Sequence, residues 1–438
     1  MSVLIHNAML CDSRRAPRRG WLLADGALIA ALGEGDVPAE VADRATEKTD
    51  ARGALLMPGA IDCHVHFREP GMEQKADIAG ESRAAIVGGV TSYIEMPNTK
   101  PATTTVAAWE DKMERAAARS AANYAFMMGA TADNLAELRA ADPRLMPAVK
   151  VFMGSSTGGM LLCDERPLAS VFAEQGARVV VHAEDQGIID ANAAALPADA
   201  DLTDMRLHTA VRSAEACVRA TERALELAAR YGTRLHVAHV TTAMECRLFD
   251  PAPTPAGKQY TAEVSPHHLL WTVDDYARLG SRIKMNPAVK TAADRAALRE
   301  GLADGRLDIV ATDHAPHLPV DKQGDIFHAA SGAPMVQFSL PVMLDLYDPQ
   351  TVSQRMSAAP AALYGIERRG LLEPGYYADL VLVEHLDEPH VITDSEVVSK
   401  CGWTPMAGYG TRHRVAAAWV NGALGPRALH FGYSSKRE

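Results

Sequence analysis

The feature that most constrains this chain is an alternation of short apolar runs with segments of helical period, repeated from about residue 56 to residue 360. The runs read "GAIDCHVHF", "GVTSYIEMPN", "NYAFMMGAT", "AVKVFMG", "RVVVHAED", "RLHVAHVTT", "YTAEVSPHH" and "DIVATDHAPH". Between them lie helical patterns such as "AEACVRATERALELAARYG". Eight such βα units predict an α/β fold, a closed (β/α)8 TIM-type barrel, more than they predict an open sheet.

The two flanks of the chain have a different pattern. Residues 1–55 and 366–438 contain short strand-like runs separated by Gly, Pro and Asp. We expect them to form one small β-sandwich-like accessory domain built from both termini, with the barrel over 56–365. The length of 438 residues suits a barrel of about 250 residues plus such a domain.

Charge and composition exclude several classes of function. The net charge of −11 argues against nucleic-acid binding and against a basic membrane-surface patch. No apolar stretch is long enough to span a membrane, and the first residues lack the order of regions of a signal peptide. The six cysteines are scattered without CxxC spacing, so we expect reduced thiols and a cytoplasmic protein. "MGSSTGG" lacks the spacing of a phosphate-binding loop.

Two histidines end the first barrel run. His64 and His66 are two residues apart, so on a strand their side chains point to the same face. Neutral imidazole is a common ligand of Zn²⁺. The alternative is one packed histidine and one solvated histidine. We favour the metal-binding interpretation because the ends of other predicted strands carry further potential metal ligands: Lys150, His182, His239 and Asp313.

Lys150 is unusual because it is embedded in an apolar strand, "AVKVFMG". A buried ammonium is unfavourable unless its charge is removed or paired. A neutral amine can react with CO₂ to give a carbamate whose oxygens bridge two cations. The alternative is a structural lysine paired with an acid. With four histidines and Asp313 at neighbouring strand ends, we favour the bridging carbamate and a pair of divalent metal ions.

The motifs "DCHVHFREPG", "MPNT", "EVSPHHLL", "KMNP", "TDHAPH", "PAALYGI" and "GYYADLVLV" follow one another in this order. In this, the chain resembles the amidohydrolase superfamily and, within it, the dihydroorotase family, over essentially its whole length. The resemblance implies two divalent ions per subunit, zinc being expected, with CO₂-derived carboxylation of Lys150 bridging them. It implies that His64 and His66 bind the more buried ion and that His182 and His239 bind the other. Asp313 would serve as ligand and as catalytic acid and base.

The same resemblance implies a substrate site. Arg68, Asn98 and His317 would hold the substrate's carboxylate, and Asn286 would contact the substrate as well. Ser155, Ser156 and Thr157 match the region of a mobile loop that closes on substrate in relatives. Glu263 and His267, at the end of the seventh run, could hydrogen-bond the site or bind an extra ion, and we favour the supporting role.

The implied activity is the reversible cyclisation of N-carbamoyl-L-aspartate to L-dihydroorotate in pyrimidine synthesis, by a homodimer without nucleic-acid or membrane partners. One alternative is a cyclic amidase of the hydantoinase or dihydropyrimidinase type, whose substrates carry no ring carboxylate. Another is a non-catalytic dihydroorotase-like partner of aspartate transcarbamoylase, which would lack the metal ligands. The chain departs from many relatives at "NPAVK", where they read "NPPLR", and its loop "SGAPMVQFSL" lacks their acidic residue. These departures leave the substrate loop open and the metal ligands intact.

Overall fold

The computed structural model describes residues 1–155, 159–174, 176–422 and 425–432. Its strands, in chain order, are β1 Ser2–Asp12, β2 Arg15–Asp25, β3 Leu28–Glu34, β4 Glu47–Asp50, β5 Leu55–Pro58, β6 Ala60–Val65, β7 Val90–Glu95, β8 Asn123–Phe126, β9 Met128–Gly129, β10 Ala148–Phe152, β11 Arg178–His182, β12 Leu235–Val237, β13 Tyr260–Val264, β14 Ile309–Val310, β15 Leu380–Val391 and β16 Gly410–Trp419.

The helices connect these strands. They are α1 Ala39–Ala42, α2 Ile78–Val87, α3 Val106–Arg119, α4 Leu135–Ala140, α5 Glu165–Glu174, α6 Gln186–Ala194, α7 Arg206–Val211, α8 Ala214–Tyr231, α9 Ala243–Cys246, α10 Pro266–Leu270, α11 Tyr276–Leu279, α12 Ala292–Asp304, α13 Val336–Leu346, α14 Pro349–Ser353 and α15 Ala359–Tyr364. Short 3₁₀ turns cover Val273–Asp275, Gly280–Ile283, Pro319–Lys322 and Asp394–Glu396, and a π-helical turn covers Gln354–Ala358.

Strands β6 to β14 form the predicted barrel. One parallel sheet runs β6-β7-β8 and another runs β14-β13-β12-β11-β10-β9. Because β8 and β9 are consecutive pieces of one strand interrupted at Met127, they join the two sheets. On the other side, the backbone N–H of His66 donates to the carbonyl of His314 at 2.8 Å and connects β6 to the end of β14. The prediction of a (β/α)8 barrel is confirmed.

The apolar runs explain why the strands lie in the barrel wall. A strand covered by helices outside and by side chains inside is buried on both faces, and it has a nearly continuous apolar sequence. All five residues of β11, Arg178–His182, are buried. The longest of the three helices between β11 and β12 is α8, which begins where Ser213 accepts a hydrogen bond from the backbone of Ala216 and ends at Gly232 in the left-handed conformation, φ 70°.

The two flanks share one sheet of order β16-β15-β5-β1-β2-β3, with β4 also paired to β1. Strand β5 lies between the two ends of the chain: Leu55 pairs in parallel with Met9, and Pro58 pairs antiparallel with Leu380. Leu56 and Leu380 belong to the same buried apolar cluster. The boundaries at residues 55 and 365 stay predictions. Within the described ranges, no helix has both the length and the apolar character needed to cross a membrane.

Candidate metal centre

A pocket at the C-terminal ends of the barrel strands collects most of the residues singled out from the sequence. Its lining consists of His64, His66, Arg68, Asn98, Lys150, Phe152, His182, His239, Asn286, Asp313, Ala315, Ser331 and Gly332. The parallel arrangement explains the convergence, because all strand ends of one polarity meet on one face of a barrel. His317 is buried next to this lining without being part of it, and its ring contacts Arg68. Ser155 borders a neighbouring cleft, and Ser156 and Thr157 lie outside the described residues.

The pocket floor holds two groups of possible ligands. In the first, Asp313 Oδ1 lies 3.1 Å from Nε2 of His66 and 3.4 Å from Nε2 of His64. Each residue of this trio offers one ligand atom within 4.8 Å of the others. In the second, Nδ1 of His182 lies 2.9 Å from Nε2 of His239. The rings of His64 and His239 are 5.3 Å apart between centroids, so the two groups are adjacent.

Hydrogen bonds on the far side of each ring fix which nitrogen faces the pocket. Nδ1 of His64 contacts the carboxylate of Glu263, and Nδ1 of His66 lies 2.7 Å from the amide oxygen of Asn98. Both rings therefore carry hydrogen on Nδ1 and direct the lone pair of Nε2 toward Asp313. His182 has the opposite arrangement, because its Nε2 donates to Glu184 at 2.9 Å and leaves Nδ1 facing His239.

Glu263 connects the ligands to one another. Besides His64, its carboxylate lies 3.1 Å from Nε2 of His236 and accepts a hydrogen bond of 3.2 Å from the backbone N–H of His239. Burial raises the pKa of this carboxyl, but the neighbouring histidines outweigh the effect and hold the pKa well below its ordinary value. The geometry agrees with a supporting role for Glu263. His267 is buried against the ring of His268, with 4.1 Å between centroids.

Burial lowers the pKa of His66, His182 and His239, whereas Asp313 stays ionised. Burial brings the pKa of His66 to about 4, so the ring is neutral at pH 7 and its lone pair is available. For Asp313, burial raises the pKa, but the imidazoles of His64 and His66 oppose this and the pKa lies well below its ordinary value. Neutral imidazoles with one carboxylate form a typical ligand set for a divalent ion such as Zn²⁺.

The environment of Lys150 is the strongest local indication that the pocket binds a further group. The side chain of Lys150 is fully buried, and Nζ makes no hydrogen bond and no ion pair with any described residue. Burial lowers its pKa to about 8, a shift that Glu263 and Asp313 oppose without reversing. The alternative of a structural lysine paired with an acid lacks a partner in the described part of the chain. A buried amine without an acceptor fits conversion to a carbamate that shares divalent ions with the histidines.

Three site residues have left-handed backbone conformations that side chains other than glycine rarely adopt: Arg68 at φ 71°, His239 at φ 36° and Asp313 at φ 49°. Each comes just after the end of its strand. Such a conformation persists only where surrounding contacts enforce it, and it re-aims the side chain as the strand ends. Three of them around one pocket mark a surface shaped for binding or catalysis.

Arg68 is a buried cation that lines the pocket. It is 2% exposed, its Nε donates to the carbonyl of Pro316 at 3.1 Å, and its Nη2 lies 3.0 Å from Nε2 of His317. In the described ranges, its guanidinium forms no ion pair. Burial lowers its pKa to about 10, which still leaves the group charged at neutral pH. A guanidinium that lines a pocket and forms no ion pair within the described residues is suited to an anionic ligand.

Some supporting residues were not identified from the sequence. Glu184 holds His182 and is itself contacted by the guanidinium of Arg212, whose Nη2 also donates to the carbonyl of Ser155 at 2.8 Å. Glu184 follows His182 at a spacing of two in "HAED", a signal that could have drawn attention to it. Arg212 gives no such signal, because it lies at the C-terminal end of α7, far from the motifs in sequence.

Comparison with known proteins gives three kinds of match. A model of the amidohydrolase family matches residues 55–423. The sequence is 38% identical to a dihydroorotase of Halobacterium salinarum over 362 residues, covering 81% of this chain and 82% of the relative. It is 32% identical to an allantoinase of Rubrobacter xylanophilus over 422 residues, 92% of each chain. The structure superposes on an L-hydantoinase (dihydropyrimidinase) from Arthrobacter aurescens with a TM-score of 0.87 and 28% identity, covering 97% of this chain and 96% of the other.

A closed barrel whose strand ends carry histidines, a lysine and an aspartate in one pocket places the chain among the (β/α)8-barrel enzymes. The match over residues 55–423 narrows the class further, and the chain belongs to the amidohydrolase family. The resemblance inferred from the motifs is thereby confirmed.

Proposed function

We propose that this chain is a dihydroorotase, which interconverts N-carbamoyl-L-aspartate and L-dihydroorotate. One observation carries the proposal: Arg68, a buried guanidinium without a carboxylate partner among the described residues, lines the same pocket as His64, His66 and Asp313. A ring that carries a carboxylate would supply the missing partner while placing its amide next to the cluster. The 38% identical dihydroorotase supports the same choice.

The residues that would hold two divalent cations are His64, His66, His182, His239 and Asp313, together with carboxylated Lys150. The buried Nζ of Lys150 and the inward-facing nitrogens of His64, His66 and His182 support this assignment, as does the position of His239 beside His182. When bound, such cations would polarise the amide carbonyl of the ring and lower the pKa of water. We propose zinc as the metal because the ligands are mostly imidazoles.

The residues of the chain would bind the substrate and move the proton. The planar fork of Arg68 would meet the carboxylate with two parallel charge-assisted hydrogen bonds and so fix the ring in the pocket. Asn98 and Asn286 line the same pocket and offer amide groups to the ring. In the hydrolytic direction, Asp313 would accept the proton of the attacking water and pass it to the leaving ring nitrogen. Its depressed pKa agrees with a base that is ionised at neutral pH.

A second candidate is a cyclic amidase for rings without a carboxylate, such as allantoin or hydantoin. The allantoinase that is 32% identical over 92% of this chain and the superposition on a hydantoinase favour it. Against it stands Arg68, because a neutral ring would leave the buried guanidinium without an anionic partner.

The deciding experiment compares substrates. Purified protein with its metals counted should hydrolyse dihydroorotate and cyclise N-carbamoyl-aspartate, with a much higher kcat/KM than for dihydrouracil, hydantoin or allantoin. Dihydrouracil is the matched control, because it is the same ring without the carboxylate. Equal or better turnover of the carboxylate-free rings would replace the proposal with the second candidate. We also propose that the protein forms a homodimer and that it acts in the cytoplasm.

A further inference from the structure

The ring of His317 has two cationic neighbours. Nζ of Lys75 lies 3.0 Å from its Nδ1, and Nη2 of Arg68 lies 3.0 Å from its Nε2. The carbonyl oxygen of Ser331 also lies 3.0 Å from Nε2. Burial, followed by the charges of Arg68 and Lys75, holds the pKa of His317 well below its ordinary value, so the ring is neutral. A neutral imidazole has one N–H donor and one acceptor nitrogen.

Two arrangements of that single hydrogen are possible, and the neighbours distinguish them. With hydrogen on Nε2, the ring donates to the carbonyl of Ser331, and Nδ1 accepts from the ammonium of Lys75. With hydrogen on Nδ1, an N–H would point at the ammonium of Lys75, the carbonyl of Ser331 would lose its donor, and Nε2 would accept from Arg68. An ammonium and a guanidinium both lack acceptors. The first arrangement has one unfavourable contact, Nε2–H against Nη2 of Arg68. The second has two, Nδ1–H against the ammonium of Lys75 and the lone pair of Nε2 against the carbonyl of Ser331, so the first is favoured.

Lys75 is held in place for this contact. Its Nζ lies 3.1 Å from Oδ2 of Asp321, in the 3₁₀ turn Pro319–Lys322, and only 20% of its side chain is exposed. The backbone N–H of Lys75 also donates to the carbonyl of Met72 at 2.9 Å. The ammonium is therefore bound between a carboxylate and an imidazole nitrogen.

We infer that Lys75 is a positioning residue that sets the tautomer of His317 and thereby keeps Nη2 of Arg68 available to the substrate. When Nε2 of His317 carries the hydrogen, it cannot accept from Arg68, and the outer edge of the guanidinium has no acceptor in this ring. When the hydrogen is on Nδ1, Nε2 of His317 accepts from Nη2 of Arg68, and that N–H is no longer available to the substrate carboxylate. Lys75 would thus affect the preference for substrates that carry a carboxylate through His317, and it would not contact the substrate itself. The inference rests on the proposed function only for what Arg68 binds.

The tautomer can be measured without any substrate. Long-range ¹H–¹⁵N spectra of protein labelled at histidine distinguish a protonated ring nitrogen from one with a lone pair, and the signals of His317 are identified by their loss in His317→Gln. We expect hydrogen on Nε2 in the wild type. We expect Lys75→Met to show the Nδ1–H form or a mixture, and Lys75→Arg, which keeps a cationic donor, to restore the Nε2–H form.

Kinetics supply the second measurement. A lost charge-assisted hydrogen bond is expected to raise KM for dihydroorotate about 10- to 100-fold in Lys75→Met, while kcat changes less than about twofold. Lys75→Arg should recover most of the loss. The matched control is Lys400→Met. Lys400 is 46% exposed, and among the described residues its ammonium contacts Asp77 and the carbonyl of Glu73 and not His317.

Each outcome supports or overturns the inference. A wild-type ring with hydrogen on Nδ1 overturns it, and so does Lys75→Met with an unchanged tautomer. If Lys75→Met does not fold, the wild-type spectrum and Lys75→Gln decide by the same criterion. A preparation that turns over no dihydroorotate but shows the expected tautomers would refute the proposed function and leave the role of Lys75 intact.

Discussion

The amide oxygen of Asn98 lies 2.7 Å from Nδ1 of His66. The contact makes Nδ1 the protonated nitrogen of the ring, so the lone pair of Nε2 faces Asp313. Asn98 also lines the pocket in which we propose that the substrate binds. The same side chain can therefore support the metal ligand and contact the ring, two roles that mutation can separate.

We expect Asn98→Ala to weaken metal binding by about 10- to 100-fold, the usual effect of removing a group that orients a ligating histidine. Competition with a chelator measures the change. The matched control is Asn286→Ala, because Asn286 lines the pocket while its amide oxygen has no hydrogen-bond partner in the described part of the chain. It should impair substrate binding only. Equal metal affinity in wild type and Asn98→Ala would remove Asn98 from the support of His66.

Lys150→Ala should remove the bridge between the metal ions. Elemental analysis should give about two divalent ions per wild-type chain and fewer in the variant, together with loss of nearly all activity. Short carboxylic acids should partly restore the metal content and the activity of Lys150→Ala, since their oxygens can replace those of the carbamate. Lys150→Met, which keeps the volume of the side chain, controls for lost packing and should behave like the alanine variant. A variant with both ions and normal turnover would contradict the bridge.

The pH dependence of metal uptake follows from the pKa of Lys150. Burial lowers that pKa to about 8, and only the neutral amine reacts with CO₂. Below pH 8 the ammonium predominates and the carbamate forms slowly, whereas above pH 8 the amine is mostly neutral. Metal-free protein supplied with excess Zn²⁺ under a constant partial pressure of CO₂ should therefore regain activity faster as the pH rises from 7 to 9. A rate that falls or stays flat over this interval would count against carbamate formation.

Asp313→Asn should lower kcat by about 10²- to 10⁴-fold while KM changes little, because the proton is transferred only in the transition state. Since the pKa of Asp313 lies well below its ordinary value, its carboxylate is ionised at neutral pH. Metal analysis of the variant shows whether the ligand role is lost as well. A loss confined to KM would assign Asp313 to binding instead of proton transfer.

Arg68→Met should lower kcat/KM for dihydroorotate by about 30-fold to several thousand-fold, equivalent to roughly 2–5 kcal/mol for truncating one partner of a buried charged pair. The metal content should not change. Arg68→Lys should also be impaired, because an ammonium lacks the planar fork. Steady-state kinetics with dihydroorotate and dihydrouracil measure the preference for the carboxylate. If Arg68→Met keeps that preference, another group binds the carboxylate.

The sequence was most informative where local periodicity determines geometry. His64 and His66 could be assigned to one face from their spacing alone, and the alternation of apolar runs with helical segments predicted the barrel. Lys150 could be recognised because a lysine in an apolar strand contradicts the usual pattern of burial. In each case, a few neighbouring residues contain the signal.

The supporting contacts could not be predicted in this way. Lys75 and His317 are 242 positions apart, and Glu263 and His64 are 199 positions apart. Glu263 and His64 lie on β13 and β6, which meet only when the barrel closes, and Lys75 and His317 lie on loops that follow β6 and β14. No local period encodes either contact. The left-handed conformation of Arg68 is also a product of these surroundings, since arginine has no intrinsic preference for it.

The position of β5 between β1 and β15 has a consequence for the order of events during translation. Residues Leu55–Pro58 can pair with β1 as soon as the first part of the chain leaves the ribosome, but their other partner begins at Leu380. Until that segment is synthesised, β5 presents an unpaired apolar edge, the kind of surface on which nascent chains associate wrongly. The barrel strands lie between these two segments of the sequence. The shared sheet can therefore be completed only after β15 and β16 have been synthesised.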